Sequence, residues 1–212
     1  MSYIIELLPE QRCESKGAPM KKLSALQTLQ ASGKEIFSSA DLQKLLQTST
    51  NNYANIFAGK LVNEGVLERV SKGYYILVSD KPSDFKVANI LYRPSYISLE
   101  SALSYYGIMI QSPQQVTSIS TKRATIRENK GKTFSYVHLD QKYFTGYQRI
   151  EGFLIATPEK ALVDTMFFVA LGKASLSIEE LNLELIDIGK VEAFASTIIN
   201  RAFNKYFKAV TL

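Results

Sequence analysis

The sequence predicts an α+β protein with two domains, a winged helix-turn-helix at residues 19–81 and a mixed α/β domain at residues 82–212. Two observations predict this division. Three segments with apolar residues at helical spacing precede two short β-like runs. Residues 81–84, KPSD, are predicted to be a linker, and beyond them helices and β-like runs are mixed. Residues 1–18 predict no element and are assigned to an N-terminal extension.

The first domain consists of helix, helix, turn, helix and hairpin in that order. Ser38 or Ser39 is expected to cap its second helix, ADLQKLLQ. The third helix is predicted at about residues 51–64, and β-like runs at residues 66–70 and 74–78 follow it. This succession is typical of a winged helix-turn-helix.

Winged helix-turn-helix proteins place the third helix in the major groove of DNA and bring the wing to the backbone. Asparagine pairs bidentately with adenine, and hydroxyl and cationic groups contact phosphates. The sequence therefore predicts DNA-binding residues in the turn, the third helix and the hairpin, namely Ser49, Thr50, Asn51, Asn52, Tyr53, Asn55, Lys60, Arg69, Lys72 and Tyr74.

The charge of this domain leaves a second interpretation open. The whole chain has 25 basic and 20 acidic residues, but residues 1–80 hold nine basic and eight acidic ones, a net charge of +1. Phosphate contacts supply much of the affinity for DNA, so a single copy is expected to bind weakly and to need a second copy or the second domain. The alternative is a winged helix that serves protein interaction or dimerisation.

The second domain is predicted to mix strands with helices. Its β-like runs fall at residues 115–121, 133–139 and 147–156. Thr157 caps a helix that has Pro158 at its first position, and Ser177 and Glu180 form a capping box for another. A last helix is predicted from about residue 190 to 207.

The segment RPSYISLESALSYYGI, at residues 93–108, is predicted to be a short structural helix. Pro94 keeps the preceding residue extended, Ser98 is expected to cap the first turn, and Gly107 is expected to end the helix. Tyr96 is interpreted as a core or edge residue rather than as a platform for stacked bases.

Asp164 lies in the nearly all-apolar run at residues 161–171, where a buried carboxylate needs hydrogen bonds or a cation. No second carboxylate follows it at three or four residues, which argues against a catalytic or metal-binding role. We expect a structural anchor, bonded to the region of Arg93 or to backbone amides near Ser98. His138, on a β-like run, is interpreted as a packed or surface residue.

A basic cluster between two β-like runs is opposed by Glu128 alone. Its members are Lys122, Arg123, Arg127, Lys130 and Lys132. The cluster is predicted to form a loop or hairpin. It is either a solvated surface or a contact for DNA phosphate or for an acidic partner protein.

Four stretches, GVLERVSKGYYIL, RPSYISLESALSYYGI, VTSISTKRATIR and IEGFLIATPEKALVDTMF, together resemble the AbiEi family, the antitoxins of type IV toxin–antitoxin systems. The resemblance covers about residues 23–168. Its most specific parts are the series from Pro94 to Gly107 and the series from Thr157 to Asp164. Tyr106 departs from the family pattern, in which histidine is expected.

The resemblance implies a DNA-binding autorepressor and antitoxin in phage defence. The winged helix would bind operator repeats in double-stranded DNA of its own promoter, with a dimer on the DNA, and the second domain would support antitoxin activity. The toxin would be a nucleotidyltransferase-like protein, and the family implies no stable complex with it. Two alternatives remain open, a protein-interaction module that neutralises a partner by direct contact and a stand-alone winged-helix regulator without a toxin.

The composition argues against an enzyme and against a metal or cofactor site. Cys13 is the only cysteine and His138 the only histidine, so disulfides, cysteine-based zinc sites and most catalytic triads lack their parts. No secretory signal is expected at the N-terminus, and no segment approaches the roughly 20 apolar residues of a membrane span. We expect a cytoplasmic protein with no catalytic residue, no cofactor and no membrane partner.

Overall fold

The computed structural model describes residues 22–210, so the N-terminal extension and Cys13 lie outside the described residues. The chain divides into two compact units. Among the described residues, one unit contains those up to Arg69 together with Gly73–Asp80, and the other contains Val70–Lys72 and those from Lys81 onward. Helices and two β-sheets together make the architecture α+β.

The first unit contains three helices and a three-stranded sheet. Its described elements are α1 (Lys22–Ala31), β1 (Ile36–Ser38), α2 (Ser39–Leu45), α3 (Asn51–Asn63), β2 (Leu67–Ser71) and β3 (Tyr74–Leu77). The last two residues of β2, Val70 and Ser71, are grouped with the second unit. The strand order is β1-β3-β2, and β1 runs antiparallel to β3 with Phe37 opposite Tyr75. The sequence did not predict β1, because three residues are too few to display an alternating pattern.

Helix α2 begins at one of its two predicted caps. The Ser38 hydroxyl accepts a hydrogen bond from the Asp41 amide at 3.1 Å, and the Asp41 carboxylate accepts one from the Ser38 amide at 2.9 Å. Ser38 is therefore the cap of α2, and Ser39 is free for another role. Burial acts to raise the pKa of Asp41, but hydrogen bonds from Lys34 and Ser38 outweigh it and lower that pKa.

The second unit contains five helices and a six-stranded sheet. The helices are α4 (Asp84–Leu91), α5 (Leu99–Tyr105), α6 (Pro158–Ala170), α7 (Ile188–Ser196) and α8 (Arg201–Ala209). The strands are β4 (Ser95–Ile97), β5 (Val116–Ser120), β6 (Thr125–Asn129), β7 (Lys132–His138), β8 (Tyr147–Ile150) and β9 (Phe153–Ala156). Short 3₁₀ turns lie at Gln141–Tyr143, Ile178–Glu180 and Leu183–Leu185.

The strand order of this sheet is β6-β7-β5-β4-β9-β8. The pairs β4–β9 and β5–β7 are parallel, whereas β4–β5, β6–β7 and β8–β9 are antiparallel. Helix α6 packs against α5, α7 and α8 and also contacts β9. This helix is therefore the centre of the helical layer, and ten consecutive residues of it, 159–168, are buried.

Two predictions in the second unit before α6 need correction. The polar residues 81–84 are not all linker, because Ser83 caps α4 by accepting a hydrogen bond from the Lys86 amide at 3.4 Å. The predicted run at residues 147–156 is two strands, since Glu151 and Gly152 both have positive φ, 47° and 91°, and turn the chain back.

Two helix predictions near the C-terminus were also wrong. Ser177 makes no side-chain cap bond, and the residues after it form only a 3₁₀ turn. The long helix predicted at residues 190–207 is interrupted, because Asn200 has an extended backbone and caps a new helix, α8, by accepting a hydrogen bond from the Phe203 amide at 3.0 Å. The first error came from a local pattern that fits a cap without a packed helix behind it, and the second missed the cap at Asn200.

The longest helices in the described part of the chain, α3 and α6, have 13 residues each. None of the described helices is long and apolar enough to cross a membrane.

Candidate nucleic-acid interface

Helix α3 presents one buried face and one exposed face. Thr50 caps it, with the Thr50 hydroxyl accepting a hydrogen bond from the Tyr53 amide at 3.1 Å. The buried face packs into the core of the first unit through Ala54, Phe57, Ala58 and Leu61. The spacing of these four residues leaves the opposite side of the helix to solvent.

Most of the predicted DNA-binding residues lie on that exposed side. Ser49, Thr50, Asn51, Asn52, Tyr53 and Lys60 are all exposed. Among residues 22–210, the side chains of Asn51, Asn52 and Lys60 make no hydrogen bond. Helix α3 itself contains no acidic residue. Its outer surface therefore offers amides and one ammonium group without a nearby carboxylate on the same helix.

Asn55 is placed differently from the other predicted residues. It is half-buried, and its Oδ1 accepts hydrogen bonds from the Ser39 hydroxyl at 2.6 Å and the Tyr75 hydroxyl at 3.4 Å. The Ser39 amide in turn donates to the Gly73 carbonyl at 2.9 Å. Asn55 thus ties α3 to the start of α2 and to the turn between β2 and β3.

The β2–β3 hairpin carries the remaining predicted residues. Arg69 and Lys72 are exposed, and Tyr74 is half-buried. Gly73 closes the turn at φ +76°, and a Cβ there would lie 3.0 Å from the Ser39 hydroxyl oxygen. The turn therefore favours glycine both for its backbone conformation and for the close approach of α2.

The basic cluster of the second unit takes both of its predicted forms, a loop between β5 and β6 and the β6–β7 hairpin. Lys122 and Arg123 lie between β5 and β6, Arg127 lies in β6, Lys130 lies in the β6–β7 turn, and Lys132 begins β7. The Lys122 ammonium and the Arg127 guanidinium each lie 5.7 Å from the centroid of the Tyr92 ring. Lys132 pairs with Asp84 at 2.5 Å, which offsets its charge locally.

The motif residues of the second unit meet in a buried polar network around Asp164. The Asp164 carboxylate pairs with the Lys160 ammonium one helical turn away and accepts hydrogen bonds from the Tyr96 hydroxyl at 3.0 Å and the Ser98 hydroxyl at 2.9 Å. Burial raises the pKa of Asp164, while Lys160 and the two hydroxyls act against that rise. Burial and the neighbouring carboxylate also raise the pKa of Tyr96.

This network corrects two sequence predictions. Ser98 occupies the cap position of α5, but its hydroxyl bonds to Asp164 and makes no cap bond. The anchor of Asp164 is the side chains of Lys160, Tyr96 and Ser98 rather than the region of Arg93 or backbone amides. The structural interpretation of Asp164 agrees with this geometry, because each carboxylate oxygen has a partner.

The other motif residues shape the chain around the network. Pro94 follows a cis peptide bond before β4, and Gly107 ends α5 at φ +71°. The Tyr106 hydroxyl, at the position where histidine was expected, donates to the Ala156 carbonyl at 2.9 Å. Thr157 caps α6, accepting a hydrogen bond from the Lys160 amide at 3.3 Å.

Two further features bear on chemistry. His138 is exposed, and its Nδ1 lies 3.1 Å from the Lys122 carbonyl oxygen. Of the two predicted alternatives, packed or surface, it is therefore a surface histidine. Residues 22–210 contain no group of three or more His, Cys, Asp or Glu side chains arranged to hold a metal ion.

Sequence reasoning missed two surfaces. Ile56 is 54% exposed on the outer side of α3, and its position outside the apolar stripe of that helix was the signal. Helix α8 presents Arg201, Lys205 and Lys208 to solvent. These three residues are spaced by four and three positions, which puts them on one face of α8. The prediction of a single long helix at residues 190–207 did not separate this amphipathic segment from the rest.

Comparison of the chain with models of known protein families finds no match, and no curated protein matches its sequence.

Proposed function

We propose that the protein is a DNA-binding transcriptional autorepressor and an antitoxin of the AbiEi type. The observation that carries the DNA-binding part is the outer face of α3, where Asn51, Asn52 and Lys60 are exposed and make no side-chain hydrogen bond within residues 22–210. Asparagine on an exposed helix is suited to bidentate pairing with adenine, and lysine to phosphate.

The architecture of the first unit supports a winged helix-turn-helix. Helices α2 and α3 are joined by a short turn, and α3 is followed by the β2–β3 hairpin in a sheet of order β1-β3-β2. In this motif α3 is the recognition helix and the hairpin is the wing. Arg69 and Lys72 on the hairpin would then contact the phosphate backbone.

The low charge of the first unit shapes the proposed binding mode. Residues 22–80 hold six basic and five acidic residues, so a single copy offers few phosphate contacts. Two copies on an inverted repeat would double those contacts. The basic hairpin of the second unit, with Lys122 and Arg127 exposed, is a further source of cationic groups.

The antitoxin part of the proposal is supported by the resemblance of the sequence to the AbiEi family. It implies a nucleotidyltransferase-like toxin encoded by a neighbouring gene, and neutralisation without a stable complex. Co-expression tests it directly. Growth arrest by the neighbouring gene product should be relieved by this protein, and failure of relief would remove the antitoxin role while leaving DNA binding untouched.

A shift assay with a fragment of the protein's own promoter tests the DNA-binding part. We expect a specific, salt-sensitive shift by the wild type and its loss in Asn52→Ala/Lys72→Ala. The matched control is Lys173→Ala/Asn182→Ala, which removes the same two residue types at exposed sites of the second unit outside the basic hairpin. No specific shift by the wild type at low salt would refute DNA binding.

One observation favours a second candidate function. Tyr53 and Ile56 expose apolar surface on α3 where the surrounding net charge is low, as in a protein-interaction module. If the wild type gives no shift but forms a stable complex with the toxin, this alternative replaces the autorepressor. Charge reversal at Arg127 and Lys130 that weakens neutralisation without affecting DNA binding would assign the basic hairpin to the antitoxin function.

A further inference from the structure

The outer face of α3 combines amides with apolar surface. Ile56 is 54% exposed and Tyr53 39% exposed, beside the exposed amides of Asn51 and Asn52. Single exposed isoleucines are common on protein surfaces. Here, however, the isoleucine lies on the face that the proposed function places against DNA.

Asn52 and Ile56 are one helical turn apart on the same side of α3. Four residues advance the helix by about 6 Å along its axis. Successive bases of a strand are spaced by about 3.4 Å, so side chains at this separation reach neighbouring base pairs of one site. The side chains of Asn52 and Ile56 are therefore spaced to contact neighbouring base pairs of the same site.

The first two turns of α3 contain no charged residue: residues 51–59 read NNYANIFAG. Guanine is most often read by arginine or lysine, and cytosine by aspartate or glutamate, and this part of the helix has none of these. The amide oxygen of Asn55 is committed to the Ser39 and Tyr75 hydroxyls. The exposed amides of this part of α3 are those of Asn51 and Asn52, which suit adenine, and Asn52 shares its side of the helix with Ile56, which suits the thymine methyl group.

Resting on the proposed function, we propose that α3 recognises A·T-rich duplex DNA, with the Asn52 amide paired to adenine and the Ile56 side chain packed against the 5-methyl group of thymine. The proposal therefore predicts DNA half-sites in which one A·T pair faces Asn52 and another faces Ile56. Burying one methyl-sized group favours binding by about fourfold per contacted thymine. Loss of the asparagine–adenine pair is expected to cost roughly tenfold or more.

The experiment begins with selection of binding sites from a random duplex pool by the full chain. We expect the enriched half-sites to be A·T-rich. Fluorescence anisotropy at fixed salt then compares the selected duplex with versions in which single thymines are replaced by deoxyuridine, a change that removes only the methyl group. The wild type should bind at least one such duplex about fourfold more weakly.

Variants assign the effect to Ile56. Ile56→Ala should bind the thymine and uracil duplexes equally, and because the side chain is exposed its removal should leave the circular dichroism spectrum unchanged. Ile110→Ala removes an isoleucine that is 88% exposed in the second unit and should keep the wild-type preference. Lys72→Ala should weaken binding to both duplexes while keeping their ratio, because a phosphate contact does not sense the methyl group.

Two failures are distinguishable. If no duplex in the pool binds in a salt-dependent manner, the proposed function is refuted together with this inference. If duplexes are selected but the sites are G·C-rich, or if Ile56→Ala keeps the preference for thymine over uracil, DNA binding stands and the assignment of Asn52 and Ile56 is overturned.

Discussion

Replacing Lys160 with methionine tests how the buried ion pair holds the second unit together. The side chains of Lys160 and Asp164 are only 4% and 1% exposed. Methionine occupies a similar volume but carries no charge, so the variant leaves the Asp164 carboxylate with two hydroxyl donors, Tyr96 and Ser98, and no ammonium. We therefore expect a large loss of stability.

Two estimates of that loss agree. Removing one partner of a buried ion pair typically costs about 3–5 kcal/mol. The second estimate assumes that the Asp164 carboxyl group is protonated in the folded variant. Because the ordinary pKa of this group is 3.8, keeping it protonated at pH 7 costs about 4 kcal/mol, at about 1.36 kcal/mol per pH unit. Either value is a large part of the roughly 5–15 kcal/mol that stabilises a typical domain.

The second estimate also gives the loss a pH dependence. Burial raises the pKa of Asp164 in the native protein, and removing the Lys160 ammonium raises it further. A group whose pKa is higher in the folded than in the unfolded state stabilises the fold below the unfolded pKa, and this stabilisation is lost as the pH rises to the folded pKa. The defect of Lys160→Met should therefore shrink between about pH 7 and about pH 5.

Amide hydrogen exchange of α6 peptides reports the stability of the second unit within the full chain. Lys132→Met is the control, because Lys132 pairs with Asp84 at the exposed surface, where losing an ion pair costs about 0–1 kcal/mol. Lys160→Met/Asp164→Asn removes both charges and keeps an oxygen that accepts the hydroxyl bonds, so it should regain most of the stability. A defect no larger than that of the control, or no recovery in the double variant, would refute the reasoning.

Three further predictions concern single positions. Asn200→Ala should lower the free energy of unfolding by about 1 kcal/mol, because the Asn200 side chain caps α8. Ser177→Ala removes no cap bond and should be nearly neutral. Thermal unfolding compares the two variants, and equal losses would contradict the assignment of Asn200 as a cap. Gly73→Ala should destabilise the first unit by roughly 1–2 kcal/mol, because Gly73 has a φ of +76°. Hydrogen exchange in the β2–β3 hairpin should become faster, and unchanged exchange would contradict this prediction. Burial acts to raise the pKa of Asp41, but hydrogen bonds, led by the one from Lys34, lower this pKa overall. The ionised Asp41 carboxylate therefore stabilises the fold above the unfolded pKa of 3.8, and this stabilisation is lost as the pH falls through the folded pKa. Asp41→Asn should remove that acid-dependent step from exchange in α2, and a step that persists would show another group to be responsible.

The elements that the sequence predicted correctly have local causes. Thr157 and Pro158 define the start of α6 within two residues, and Ser38 and Asp41 define that of α2 within four. The failed prediction for Ser98 depended on a distant partner. The Ser98 hydroxyl fits a local cap equally well until Asp164, 66 residues later, competes for it.

The candidate interface was predictable to the extent that α3 has a regular apolar stripe. Once the stripe is known, the outward residues follow by exclusion, and Asn51 and Asn52 are found in this way. Asn55 could not be separated from them, because Ser39 and Tyr75, which hold its amide oxygen, lie 16 and 20 residues away. Its burial is a tertiary property that no helical pattern contains.

The two motif series that make the chain resemble AbiEi antitoxins satisfy each other inside the second unit. Tyr96 and Ser98 of the first series donate to Asp164 of the second, next to Lys160. Buried polar groups that are mutually satisfied need no ligand to account for them, so Tyr96, Ser98, Lys160 and Asp164 are accounted for as a structural core. None of the four stretches that carry the resemblance includes α3. If α3 reads DNA as proposed, replacing Asn52 and Ile56 should change the preferred DNA sequence and leave hydrogen exchange in α6, which holds the Asp164 network, unchanged.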